Sequence, residues 1–126
     1  MHLKGLDHIG IVVRNINESI LFYRNIMGFV PGEIEDIREK HMKIVKLRKG
    51  DLVIELLEPD NKEAPPSTFG LKHIAFHCDD IDEFVKDAVK NKLRLLTAAP
   101  MEHDNDRFVF FSATDGEFIE VMERKE

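Results

Sequence analysis

Apolar and polar positions along the chain fall into two matching sets of strand and helix patterns. Residues 6–13 (LDHIGIVV) read as a strand, with one histidine, His8, among strand-formers. Next, Ile20, Tyr23 and Met27 recur at helical spacing, with Asn17 as the expected N-cap, Ile16 as its hydrophobic staple and Gly28 as the stop. Three strands are expected at 29–35, 41–48 and 52–58, the last two joined through Lys49-Gly50-Asp51. The order then repeats. A strand at 71–78 leads to a helix from about 82 to 91, capped by Asp80 or Asp82 and apolar along Ile81, Phe84, Val85 and Ala88. Strands follow near 93–98, 107–112 and 117–123, with Asp115-Gly116 as the matching turn.

The repetition extends to the letters. Sliding the chain by 65 residues aligns 6–58 with 71–123 without a gap. Identities fall at Leu6/Leu71, His8/His73, Ile9/Ile74, Ile16/Ile81, Glu18/Glu83, Ile54/Ile119, Glu55/Glu120 and Glu58/Glu123. Most lie in two blocks, DHIGIVV with KHIAFHC and VIELLE with FIEVME, which is the mark of a tandem duplication. Between the halves, residues 59–70 (PDNKEAPPSTFG) have linker chemistry, and Pro65-Pro66 argues against a helix there. The expected organisation is one α+β domain over 1–126, built of two βαβββ modules (about 4–58 and 71–124) that pair into one unit, each too short to be stable alone.

Composition narrows the function classes. A net charge of −6 speaks against a nucleic-acid surface. One cysteine rules out an internal disulfide and fits a reducing compartment. With no apolar run of membrane-spanning length and no signal-peptide pattern at the start, the expectation is a cytoplasmic protein with no membrane partner.

Strand alternation shows which side chains share a face. His8 stands with Gly10 and Val12, and His73 with Ala75 and His77. Glu55 stands with Val53 and Leu57, and Glu120 with Phe118 and Met122. The intervening residues are mostly apolar, as on a face packed under helices. A mid-strand carboxylate among apolar neighbours is costly unless it is paired, hydrogen-bonded or metal-bound. Here a His/Glu pair occurs twice at the same spacing. His8, Glu55, His73 and Glu120 form an N₂O₂ set suited to one divalent ion such as Zn²⁺, Ni²⁺, Co²⁺, Fe²⁺ or Mn²⁺.

The pattern D-H-I…E-L-L-E-P…K-H-I-A-F…I-E-V-M-E resembles the vicinal oxygen chelate superfamily, which includes glyoxalase I and methylmalonyl-CoA epimerase. The resemblance covers essentially the whole chain. It implies paired βαβββ modules curling into an open, barrel-like mixed sheet around a divalent metal, usually in a homodimer. Its ligands map to His8, Glu55, His73 and Glu120. The activity it implies is a metal-dependent lyase or isomerase reaction that removes the proton next to a carbonyl of a small-molecule substrate. The base implied by glyoxalase I maps to Glu120, with Glu55 as its symmetry mate.

The leading expectation is a glyoxalase-like, lactoylglutathione-lyase-type activity. Val12 and Pro59 nevertheless stand where glyoxalase I would carry an Arg and an Asn for glutathione. A methylmalonyl-CoA epimerase-like racemase is the first alternative. IELLEP and KHIAF-x-x-DDID match it well, but the linker is short and Ser112-Ala113-Thr114-Asp115 replaces the expected H-P-K-S. Extradiol dioxygenases and thiol transferases of this scaffold use two His and one Glu, so Glu55 argues against them. A metal-free drug-binding protein of the bleomycin-resistance type normally lacks the ligands that this chain keeps. His77, four residues after His73 on the same face, and Arg107, beside the acidic loop 103–106, are the candidate substrate-binding residues. Cys78 alternates toward the core.

Overall fold

The structure is a computed structural model. It describes residues 2–61, 63–112 and 118–124. The expected turn at Asp115-Gly116 lies outside the described residues. The class is mixed α+β, with two helices and ten strands among the described residues. The chain divides into two compact units: His8–Lys72, and His73–Glu126 together with Met1–Asp7.

In the first unit, β1 (Gly5–Val12, its first three residues in the other unit) leads to α1 (Ile16–Asn25), followed by β2 (Val30–Pro31), β3 (Glu35–Ile37), β4 (Met42–Lys49) and β5 (Leu52–Pro59). The strand order is β2-β4-β5-β1, with β3 also on β4. β1 and β5 run parallel and β4 and β5 antiparallel. Asn15, not Asn17, caps α1: its side chain accepts from the Glu18 N–H at 3.0 Å. The helix therefore starts two residues earlier than expected. Ile16 becomes its first residue, buried with Phe29, Val45, Leu47, Ile54 and Leu56.

The strand expected at 29–35 is broken into β2 and β3. Pro31 has no N–H to donate, and Gly32 lies so close to β4 that a Cβ would stand 3.1 Å from the Lys46 carbonyl oxygen. In the linker, Pro66 starts a single 3₁₀ turn, Pro66–Thr68, because a first helical position needs no donor.

The second unit repeats this plan. β6 (Gly70–His77, its first three residues in the other unit) leads to α2 (Ile81–Lys90), followed by β7 (Arg94–Leu95), β8 (Met101–His103), β9 (Asp106–Ser112) and β10 (Phe118–Glu123). The strand order is β6-β10-β9-β7, with β8 on β9. The strand expected at 93–98 is only two residues long. Asp80 is the cap, accepting from the Glu83 N–H at 3.1 Å. Cys78, Ile81, Phe84, Ala88, Val109 and Val121 form the core under α2.

The first residues of the chain pack with this second unit. The Lys4 N–H donates to the His77 carbonyl at 2.8 Å, and Asp7 is gripped by both guanidinium arms of Arg124 at 2.5 and 2.7 Å.

Candidate functional site: two histidine–carboxylate pairs

In each unit the helix covers one face of the strands, and the site residues lie on the other. In the first unit, Ile54 and Leu56 turn into the core beneath α1, so Glu55 between them projects from the opposite face. The parallel register sets Gly10 beside Glu55, with His8 two residues before Gly10 on the same face. His8 Nε2 lies 3.9 Å from Glu55 Oε2. The second unit repeats the arrangement. Ala75 stands beside Glu120, His73 two residues before it, and His73 Nε2 lies 3.3 Å from Glu120 Oε1. In both, the residue directly beside the glutamate is no larger than alanine. The space on the parallel-strand side of each carboxylate is therefore not filled by a bulky side chain.

The two pairs differ in their seating. His8, His73 and Glu120 are each at least nine-tenths buried, while the Glu55 side chain keeps 14% of its exposure. Phe110 faces Glu120 across β9 and β10 and meets the His73 ring edge-on, with centroids 5.6 Å apart. Lys46 is the residue that faces Glu55 across β4 and β5. Glu55 displaced by 65 residues is Glu120, but Lys46 displaced by 65 is Phe111, not Phe110. In β9 the repeat is therefore shifted by one residue, so the gapless slide of the sequence does not hold in the structure there.

The helix N-termini are tied to the same strands. Ile16 N–H donates to Glu58 Oε1 at 2.6 Å, and Ile81 N–H donates to Glu123 Oε1 at 3.1 Å. Each of these glutamates lies three residues after a site glutamate and points to the helix side. A carboxylate at a helix N-terminus also complements the helix dipole. The sequence had marked the Glu58/Glu123 identity without giving it this role.

His77 is half-buried on the same face as His73, and a Cβ at Gly5 would come within 3.5 Å of its Nε2. Arg107 is not brought to this face. Both of its guanidinium arms hold the Asp82 carboxylate of α2 at 3.0 Å, on the helix-covered side. That bidentate contact holds the Asp82 carboxyl below its ordinary range and raises Arg107. The partner is a helix residue rather than the loop aspartates of 103–106. Cys78 is core, as its alternation implied. Burial, then the nearby Glu123 carboxylate, pushes its thiol up to about 11.

No ion is needed to account for either pair taken alone, since imidazole and carboxylate attract. The donor chemistry fits a divalent metal nonetheless: imidazole nitrogen and carboxylate oxygen, three of the four side chains buried, on the strand face away from the helices. No described helix is long and apolar enough to cross a membrane.

Comparison with known proteins extends this. The chain is 31% identical over 126 residues to the uncharacterized protein YaeR of Escherichia coli, covering 97% of this chain and 98% of that one. It is 30% identical over 103 residues to the mitochondrial methylmalonyl-CoA epimerase of Homo sapiens, covering 76% of this chain and 58% of the human protein. Among solved structures, a methylmalonyl-CoA epimerase variant of Streptomyces coelicolor, in complex with 2-nitronate-propionyl-CoA, superposes with a TM-score of 0.85 at 25% identity. That match covers 99% of this chain and 100% of the other. Residues 7–111 match the family description of the Glyoxalase/Bleomycin resistance protein/Dioxygenase superfamily, and the chain belongs to that superfamily.

Proposed function

We propose that the chain is a divalent-metal-dependent isomerase that removes and returns the proton α to the carbonyl of an acyl-CoA thioester. His8, Glu55, His73 and Glu120 would hold the ion. The observation that carries this reading is the duplicated pair: a histidine and a glutamate on the same diagonal of two parallel strands, His8–Glu55 and His73–Glu120. Similarity to methylmalonyl-CoA epimerases supports the thioester. The sequence alone put a lactoylglutathione-lyase-type reaction first. Both reactions begin with the same proton abstraction, and the named enzyme relatives favour the isomerase.

A divalent cation bound there would act as a Lewis acid, taking up charge that develops on the carbonyl oxygen. The protein must supply the proton transfer. Epimerisation takes the proton from one side of the carbon and returns one to the other, which two carboxylates can do in turn. We assign removal to Glu120 and return to Glu55. Glu120 is the more buried of the two, beside Phe110 and His73, where a substrate would shut out water from the transfer. Glu55 is the more exposed, within reach of solvent. His77 lines the same face as a substrate contact. The cytoplasm remains the expected location and a homodimer the expected assembly.

The experiment is α-proton exchange in D₂O, followed by NMR on methylmalonyl-CoA with protein loaded with Co²⁺, Ni²⁺ or Zn²⁺. Metal content is measured on the same samples. Exchange that depends on bound metal is the expected result. Exchange of the hemithioacetal of methylglyoxal and glutathione, with none of the thioester, would move the assignment to the lyase. Metal binding without exchange of either would overturn the isomerase.

A further inference from the structure

The open face of the first unit carries a charge that the duplication does not repeat. Val45 and Leu47 turn into the core under α1, so Lys46 between them stands on the opposite face of β4, across from Glu55. Lys46 is half-buried in mid-strand. Glu55 has His8 as its ion partner, and among the described residues the Lys46 ammonium makes no hydrogen bond or ion pair. An ammonium on that face with no counter-charge in contact is available to pair with a bound anion.

Arg48, on the same face of β4, is exposed rather than half-buried, and two other arginines are engaged elsewhere. Arg107 is held by Asp82 on the helix side, and Arg124 by Asp7. In the second unit the position facing the glutamate is aromatic: Phe110, with Phe108 adjoining it at 6.0 Å between ring centroids. One module therefore presents an apolar wall beside its glutamate, and the other a free ammonium.

We infer that Lys46 is the substrate's anion anchor. It grips a carboxylate carried by the carbon whose proton is exchanged, and so selects 2-carboxyacyl thioesters over thioesters with only alkyl groups there. The inference rests on the proposed function and adds a specificity-determining residue to it. Ammonium-to-carboxylate hydrogen bonding in a partly dehydrated site is strong enough to set such a preference.

The test is calorimetric titration of the metal-loaded full-length protein with methylmalonyl-CoA and with isobutyryl-CoA, in which a methyl replaces the carboxylate. Wild type, Lys46→Met and Lys46→Arg are compared, with metal content and circular dichroism measured on each. The wild type is expected to prefer the carboxylated thioester by about 10-fold or more. Lys46→Met is expected to lose that preference with metal content and fold unchanged, and Lys46→Arg to keep part of it. An unchanged preference in Lys46→Met overturns the anchor while α-proton exchange by the wild type still stands. A wild type that binds both thioesters equally also overturns it. A wild type that binds neither overturns the anchor and the thioester reading together.

Discussion

The two units of this protein use one plan with different fillings. Capping is copied faithfully. Asn15 and Asp80 each accept from the N–H three residues on, and Glu58 and Glu123 each accept from the first helical N–H. The packing beneath the helices is not copied. α2 buries Ile81, Phe84 and Ala88, whereas α1 buries only Ile16 and leaves Leu21 and Phe22 exposed, with Ile26 and Met27 exposed just past its end. The open faces differ as well, with Phe110 beside one glutamate and Lys46 beside the other. Backbone geometry set by caps and strand diagonals survives duplication, while side chains on the two faces are free to diverge. Divergence of that kind lets two equivalent carboxylates take up unequal chemical work.

The sharpest test of that inequality is to neutralise each glutamate in turn. Glu120→Gln is expected to slow metal-dependent α-proton exchange by about 10²–10⁴-fold, the range for loss of a general base. Glu55→Gln should act mainly on the return of the proton, leaving removal faster than in Glu120→Gln. Equal losses in washout and epimerisation for both variants would show that the difference in seating has no kinetic meaning.

Core packing gives the next contrast. Phe84→Ala should cost about 3–5 kcal/mol in urea denaturation, since it empties a buried ring position against Phe111. Its counterpart by the repeat is Ser19, and Ser19→Ala should stay within about 0.5 kcal/mol.

The Asp7–Arg124 clamp is also one-sided. Its counterparts by the repeat are Lys72 and Pro59, and Lys72 instead donates to the Ser67 carbonyl. Arg124→Met strands the buried Asp7 carboxylate and should destabilise by about 2–3 kcal/mol, at the low end for a buried pair because Arg124 keeps 36% of its side-chain exposure. Asp7→Asn together with Arg124→Met should recover part of that loss in the same denaturation assay.

The smallest effect at neutral pH concerns Cys78, whose repeat counterpart is Val13. A thiol raised from 9.0 to about 11 favours the folded state while it is protonated. That contribution is complete below pH 9 and is lost as pH climbs through about 11. The wild type should therefore lose melting temperature across that interval more steeply than Cys78→Ala. Below pH 8, native protein should react with a thiol reagent far more slowly than unfolded protein.

Much of this was legible in the letters. The duplication, both helices, the hairpin between β4 and β5 and the two His/Glu pairings follow from periodicity and from a His/Glu pair seen twice. Local chemistry misled by small steps at the boundaries. Asn15 and Asn17 are both competent caps, and only the path of the chain into α1 chose between them. Pro31 and Gly32 break a strand that alternation alone reads as continuous.

Other features depended on which side chain another element brings near. Arg107 beside acidic residues in sequence finds Asp82 on a helix instead, because alternation along β9 turns it to the covered side. Lys46 is one of several charges in β4, and the two-residue turn at Gly50-Asp51 fixes its register opposite Glu55. The sequence by itself determined the elements, the repeat and the donor types, because these rest on periodicity and residue chemistry within a few turns of chain. Tertiary structure decided the pairings across strands and between helix and sheet. Those depend on register, where a shift of one residue, as in β9, exchanges every neighbour a side chain has.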